Sequence, residues 1–373
     1  MPKTTLSFTH VFHLAGDQIL PNYMAITATN APWHLFLASD RTAWQKDRLV
    51  PEFPDRNVLM NTVDPFSYRA SADVFNSLRP KLGAARIAVN VTGGTKLMAA
   101  AALDFCRSVG GTPIYIDTDR RKIHVLSDGE SCMPLPPAIQ DVASFVRLAG
   151  YHVMSEGRTP DDPTVAARSD LTRKWWRSRR SLHRFLPRFG ALADGGMAMT
   201  MPDEYPRLVR EMLDAAPPPF RSAWAAAFPE NCHDWRESCR YAAGVWFEEF
   251  CLRRLAGTSS FRDVRMNVVA GLPGEGDNAG QELDIACTDG FSLYIVECKS
   301  GSIRQEHVQK LENNVATFGG AFGRGCLASS GDRPGPQRRR IENSRTIGMT
   351  LGQANENLAV LLPKIEAGHI VAP

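Results

Sequence analysis

The chain has 373 residues, a formal charge of +3, 43% hydrophobic and 22% charged residues, a composition that excludes a disordered or fibrous protein. Its length exceeds one comfortable hydrophobic core and argues for two or more domains. No polybasic tail is present, so affinity for nucleic acid has to come from local patches.

Eight cysteines form no CxxC pair, which suits a reducing compartment. His10, His13 and Asp17 interrupt the N-terminal stretch where a signal peptide needs an unbroken apolar run. No segment reaches the roughly 18 to 20 apolar residues of a membrane span. The expectation is a cytoplasmic protein without a membrane partner. The nine histidines show no metal-ligand spacing and read as structural.

From the N-terminus, "FTHVFHLA", "HLFLAS", "RIAVNVT", "TPIYID" and "RKIHVL" read as strands. Between them "DQILPNYMAITATN", "ADVFNSLR" and "GTKLMAAAALDFCRSVG" read as helices. Strand and helix in alternation give a mostly parallel sheet with helices on both faces, a Rossmann-like α/β domain over residues 1–137. "IAVNVTGGTKLMAA" runs from strand to helix through Thr92, Gly93, Gly94, Thr95 and Lys96. Glycines there allow close backbone approach, the helix start offers free N–H groups, and the threonines and lysine add donors, which together suit a phosphate. It is neither a Walker A loop nor a G-x-G-x-x-G loop. Gly16, Asp17 and Gln18 after the first strand, and Ser39 and Asp40 after the second, fall at the same carboxyl edge of the sheet, where ligands of doubly wound folds bind.

Three prolines in "SCMPLPPAI" mark a linker. Residues 138–230 then read as a small helical or winged-helix-like linker module. Within it Arg173, Lys174, Arg177, Arg179, Arg180, Arg184 and Arg188 accompany Trp175, Trp176, Phe185 and Phe189. Such a segment either guides a single strand by charge and stacking or turns its aromatics into a core. "RPGPQRRRIENSR", with Arg338, Arg339 and Arg340, is a second basic candidate.

Residues 231–373 open with the helix "CRYAAGVWFEEFCLRRLAG". Strands follow at "VRMNVVA", "QELDIACT" and "FSLYIVECK", then a helix "IRQEHVQKLENNVATFGG", a strand "GCLASS" and a helix toward "NLAVLLPKI". Asp289-Gly290 is a two-residue hairpin signal that pairs Thr288 with Phe291 and Glu282 with Glu297. Alternation puts Glu282, Asp284, Glu297 and Lys299 on one face and Leu283, Ile285, Cys287, Tyr294, Val296 and Cys298 on the other. Three carboxylates on one face repel. A divalent cation among hard oxygen ligands offsets them, which favours Mg²⁺ or Mn²⁺.

Asp284, twelve residues, then Glu297-x-Lys299 suits phosphodiester hydrolysis: the carboxylates fix a metal at the scissile phosphate and the lysine attends the attacking water. This segment resembles the PD-(D/E)XK nuclease superfamily, although no proline precedes Asp284. The likeness extends to Gly244, Phe247 and Glu248, which match a Gly-x-x-hydrophobic-Glu helix; it implies that Glu248 joins Asp284 and Glu297 as a metal ligand, with Glu249 as its rival. Gln309 and Lys310 of the next helix are further candidates to face the site. The T-G-G-T-K loop at 92–96 and the G-x-Q-x-x-P-N start at Gly16 to Asn22 resemble CARF domains of type III CRISPR systems, which sense cyclic oligoadenylates. The whole chain resembles the cyclic-tetra-adenylate-activated CARF nucleases that act as two-fold homodimers. That resemblance implies a restriction-endonuclease-like C-terminal α/β domain, cyclic tetra-adenylate as activator and single-stranded RNA or DNA as substrate. The alternative is a ligand-sensing DNA-binding regulator with an inert nuclease-like end.

Overall fold

The computed structural model describes residues 7–127, 129, 131–195, 200–229, 234–272, 280–301, 303–330 and, as backbone, 347–351. The chain divides into two compact units, Met1–Ile139 and Gln140–Pro373.

The first unit is built on seven strands: β1 (His10–Leu14), β2 (Trp33–Ala38), β3 (Asn57–Thr62), β4 (Ile87–Asn90), β5 (Thr112–Asp117), β6 (Lys122–Val125) and β7 (Ser131–Pro134). They lie in the order β3-β2-β1-β4-β5-β6-β7. Neighbours from β3 to β5 are parallel, and β6 and β7 add an antiparallel edge. Central strands are buried on both sides, which is why they read as continuous apolar runs. Helices Tyr68–Leu78 and Lys96–Ser108 cover one face. Their Phe75 and Phe105 stack on each other and meet Phe12 edge-on, burying one continuous aromatic centre.

The strand and helix alternation expected from the sequence is present. Two edge strands were not expected. β3 buries only Val58 and carries asparagine at Asn57 and Asn61, so it lacks a clear apolar period. β7 lies in the proline-bearing stretch read as a linker and pairs with β6.

The second unit holds a six-stranded sheet in the order β13-β12-β11-β10-β9-β8. Its strands are β8 (His152–Ser155), β9 (Asp263–Gly271), β10 (Gln281–Thr288), β11 (Leu293–Lys299), β12 (Gly323–Ser329) and β13 (Ile347–Leu351). β8 to β11 are antiparallel neighbours, and β12 and β13 add in parallel to β11. The described residues from 140 to 229, which make up most of the stretch 138–230 read as a linker module, belong to this unit. β8 extends the sheet, and the helices between residues 163 and 227 share one apolar core with the helix Trp246–Ala256 and strands β9 to β12. Trp175 stacks on Trp246, and Trp176 on Phe250 with centroids 4.2 Å apart. Trp175, Trp176, Phe185 and Phe189 are all buried, so the aromatics of the basic stretch serve the core. Arg173, Arg177, Arg180 and Arg184 lie exposed. The helix expected toward "NLAVLLPKI" and the run Arg338 to Arg340 lie outside the described residues. Among the described residues no helix is long and apolar enough to cross a membrane.

Candidate active site and ligand cleft

The hairpin of the second unit pairs Thr288 with Leu293 and Ile285 with Val296. That register replaces the expected two-residue turn with a four-residue loop, Asp289 to Ser292. Asp289 Oδ1 accepts from the N–H groups of Phe291 and Ser292, both at 2.9 Å, so the aspartate organises a wider turn than the Asp-Gly pair suggests. The slip is two residues, so the side-chain faces are preserved. Leu283, Ile285, Cys287, Tyr294, Val296 and Cys298 are buried as expected. What changes is the cross-strand partner: the register brings Asp284, rather than Glu282, level with Glu297.

Asp284 and Glu297 are 8% and 1% exposed. Burying two carboxylates demands compensation, and two ammonium groups provide it. Lys299 Nζ lies 2.7 Å from Glu297 Oε1 and 3.5 Å from Asp284 Oδ2. Lys310 Nζ lies 3.0 Å from Glu297 Oε2 and 3.4 Å from Asp284 Oδ1. The N–H of Cys298 donates to Asp284 Oδ2 at 2.9 Å. Burial works against both lysine charges, yet the Asp284 and Glu297 carboxylates prevail and raise both pKa values. Of the two candidates on the helix Gln305–Asn314, Lys310 faces the carboxylates and Gln309 is exposed.

The two glutamates of the helix Trp246–Ala256 diverge. Glu249 is 0% exposed and ion-paired to Arg168 at 2.7 Å, with Thr172 Oγ1 donating to it at 3.0 Å. Glu248 turns the other way and accepts from Asn267 Nδ2 at 3.2 Å, while the same amide donates to Glu282 at 2.7 Å. Burial, followed by the Asp284 charge, pushes the Glu248 pKa up to about 7 against the opposing Asn267 hydrogen bond. Asn267 holds a left-handed φ of 56° in the middle of β9, a conformation asparagine tolerates better than most residues. A π-turn at Tyr241–Val245 precedes Glu248, and Ser300 Oγ donates to Ala243 O within it at 2.8 Å. Such turns reset which side chains of a helix face a site.

Among the described residues no group of three or more His, Cys, Asp or Glu side chains stands ready-made as a metal cage. The donor set still fits a hard divalent cation. Asp284, Glu297 and Glu248 offer oxygen only, and Glu297 Oε2 is buried without a hydrogen-bond partner. Its 3.0 Å approach to Lys310 is an ion pair off the hydrogen-bond direction.

In the first unit a cleft of about 870 Å³ opens at the carboxyl edge of the sheet. Gly16, Asp17, Ser39, Asp40, Gly94 and Thr95 line it, as do Arg41, Thr62, Asp64 and Phe66, which no sequence motif singles out. Phe66 follows the unexpected strand β3. Arg41 pairs with Asp17 and so offsets one of the three carboxylates, with Asp40 and Asp64, that line the cleft. Gln18 and Lys96 are exposed and, with Thr92 and Gly93, are not among the lining residues.

Thr92 and Gly93 act beneath the cleft. A Cβ on Gly93 would sit 2.2 Å from Leu14 O and 2.9 Å from Gly16 N; the loop and the Gly16 turn meet backbone to backbone. Thr92 Oγ1 donates to Asn90 Oδ1 at 2.6 Å and accepts from Ile116 N at 2.7 Å. Thr95 caps its helix by accepting from Met98 N, which leaves the helix start facing the cleft. Below lies a buried polar chain: Asn90 Nδ2 bonds His13 Nδ1, His13 Nε2 bonds His34 Nδ1, and His34 Nε2 bonds Ala31 O. Burial lowers both histidine pKa values, that of His34 to about 4, so both rings are neutral and each passes on a single N–H.

Residues 10–135 match the family model of the Card1 CARF domain, and residues 235–351 match that of the Card1-like endonuclease domain. Can2 from Sulfobacillus thermosulfidooxidans, solved with cyclic tetra-adenylate, superposes with a TM-score of 0.72 at 18% identity, covering 95% of this chain and 99% of that one. Protein VC1899 from Vibrio cholerae gives 0.76 at 16% identity over 97% and 98%. A type III CRISPR defence DNA nuclease activated by cyclic oligoadenylate gives 0.57 at 16% identity over 96% of this chain and 51% of that one. No curated protein matches the sequence. The two family models together span well over half of the chain, which therefore belongs to the Card1-type proteins that join a CARF domain to an endonuclease domain.

Proposed function

We propose that this protein is a cyclic-oligoadenylate-activated, metal-dependent endonuclease that cuts single-stranded RNA or DNA in type III CRISPR antiviral defence. The observation that carries the reading is the convergence of Asp284, Glu297, Lys299 and Lys310 on one buried patch of the endonuclease domain.

Asp284, Glu297 and Glu248 would hold Mg²⁺ or Mn²⁺, which supplies Lewis acidity at the phosphodiester and acidifies a water. Lys299 orients the attacking water from its place beside Glu297 and offsets charge that builds on the phosphoryl oxygens. The Cys298 N–H fixes the Asp284 carboxylate so that it need not reorganise during the reaction.

In the CARF domain the cleft takes one half of cyclic tetra-adenylate, and a second copy of the chain takes the other half across a two-fold axis. Lys96 and the helix start behind Thr95 answer phosphate. The Gly16 to Gln18 and Ser39 to Asp40 turns border the adenines, with Phe66 available for stacking. Ligand binding shifts the population toward a cutting state. The ligand bound to Can2 and the activation of the CRISPR nuclease support this reading.

The test is cleavage of labelled single-stranded RNA and DNA with Mn²⁺ or Mg²⁺, with and without cyclic tetra-adenylate, by wild type and Glu297→Ala. Activator-dependent cutting that the variant loses supports the gated nuclease. Ligand and nucleic-acid binding without cutting under any condition hands the case to a ligand-sensing regulator.

A further inference from the structure

Lys310 is not part of the Asp-Glu-x-Lys spacing, yet it reaches the same two carboxylates as Lys299. Its Nζ lies 3.4 Å from Asp284 Oδ1, 3.2 Å from Glu297 Oε1 and 3.0 Å from Glu297 Oε2. Its backbone is anchored, because Val308 and Leu311 on the same helix are 1% and 0% exposed. Its head group is not: the side chain is 40% exposed, against 25% for Lys299. A lysine stem with four carbons redirects its charge at low cost.

Charge balance sets what this lysine does. Asp284, Glu297 and the two ammoniums sum to zero, so these four groups balance without a metal, and Glu248 adds at most one negative charge beside them. A divalent ion held by Asp284, Glu297 and Glu248 therefore overshoots to at least one positive charge, and the ammonium nearest Glu297 Oε2 then competes for the same oxygen. Lys299 is held by the strand it shares with Glu297. Lys310 is the more exposed of the two and can turn away. A single-stranded nucleic acid offers one phosphate charge per nucleotide beside it.

We propose that Lys310 is an exchangeable counter-ion: it holds Asp284 and Glu297 in the metal-free protein, and turns to a phosphate of the nucleic acid when the divalent ion enters. This rests on the metal-dependent nuclease reading above.

The full-length protein tests it through binding rather than turnover. Mn²⁺ affinity is measured by the electron paramagnetic resonance signal of the free ion, for wild type, Lys310→Met, Lys310→Arg, Glu297→Gln and Gln309→Ala. Lys310→Met is expected to bind Mn²⁺ about threefold or more tightly than wild type, the effect of one partly exposed ion pair. Lys310→Arg and Gln309→Ala are expected to stay near wild type. Single-stranded oligonucleotide binding is then followed by fluorescence anisotropy in Ca²⁺ over a range of salt. There Lys310→Met is expected to bind more weakly, with a log-log salt slope smaller by about 0.7, one phosphate contact. Unchanged or weaker Mn²⁺ binding by Lys310→Met, or an unchanged salt slope, overturns the proposal. Mn²⁺ binding that Glu297→Gln leaves intact overturns the metal reading itself, and is distinguished from failure of the Lys310 proposal by that variant.

Discussion

The backbone N–H of Cys298 donates to Asp284 Oδ2 at 2.9 Å, so the strand that carries Glu297 and Lys299 also aims the carboxylate opposite them. Asp284 is thereby held by main chain on one oxygen and by Lys310 on the other. Asp284→Asn keeps the shape and removes the anion. Nuclease activity is expected to fall about 100-fold or more, while cyclic tetra-adenylate binding by isothermal titration calorimetry stays at the wild-type value. Retained cutting would remove Asp284 from the chemistry.

The two adjacent glutamates separate function from stability. Glu249 is enclosed with Arg168, which has a second partner in Glu237 at 2.6 Å. Glu249→Ala is expected to destabilise the second unit by about 3 kcal/mol, the lower end for a broken buried pair, because Glu237 still answers the guanidinium. Glu248→Gln is expected to leave the urea midpoint close to wild type and to weaken Mn²⁺ binding. Equal effects of both variants on stability would contradict the division.

Gly93 and Phe66 test the cleft from its floor and its rim. Gly93→Ala forces a carbon against Leu14 O and is expected to cost about 1–3 kcal/mol together with a loss of cyclic tetra-adenylate affinity. Phe66 is 77% exposed within the cleft lining. Phe66→Ala is expected to leave stability unchanged and to weaken the ligand by about 1–3 kcal/mol, the worth of one stacked base. Calorimetric titration and thermal melts distinguish the two patterns.

The buried histidine pair makes the first unit sensitive to acid. Burial lowers the His34 pKa to about 4 against an ordinary value of 6.5, so the unfolded chain binds a proton that the folded one refuses. Stability from this group is fully present above pH 6.5, falls as pH drops toward 4, and changes no further below it. The full loss is about 3 kcal/mol. Hydrogen-exchange protection of β1 and β2 is expected to decline between pH 6.5 and 4, and His34→Gln to flatten that decline.

Local sequence carried a large part of this protein. Strand alternation over residues 281–299 assigned every hairpin side chain to its face, because period 2 survives the two-residue slip between the expected and observed registers. The run from β4 into the helix at Lys96 was legible because a double glycine between a strand and a helix admits few conformations. The CARF and nuclease resemblances rested on those two stretches together with the Gly16 to Asn22 turn and the Gly244, Phe247 and Glu248 helix pattern.

Other features had no local signature. β3 and β8 are edge strands, and their apolar pattern is weak because only part of each is covered. Glu248 and Glu249 differ by one helical step, and which one faces Asp284 was set by the burial of Trp246 against Trp175 and of Phe247 and Phe250 against Trp176, with the π-turn before them fixing the rotation. Lys310 reached Glu297 because Val308 and Leu311 anchor its helix. Sequence alone determined which strand faces carry charge, since that follows from neighbouring residues. Only the tertiary structure decided which charges meet, since that depends on how distant helices are rotated by the core they bury.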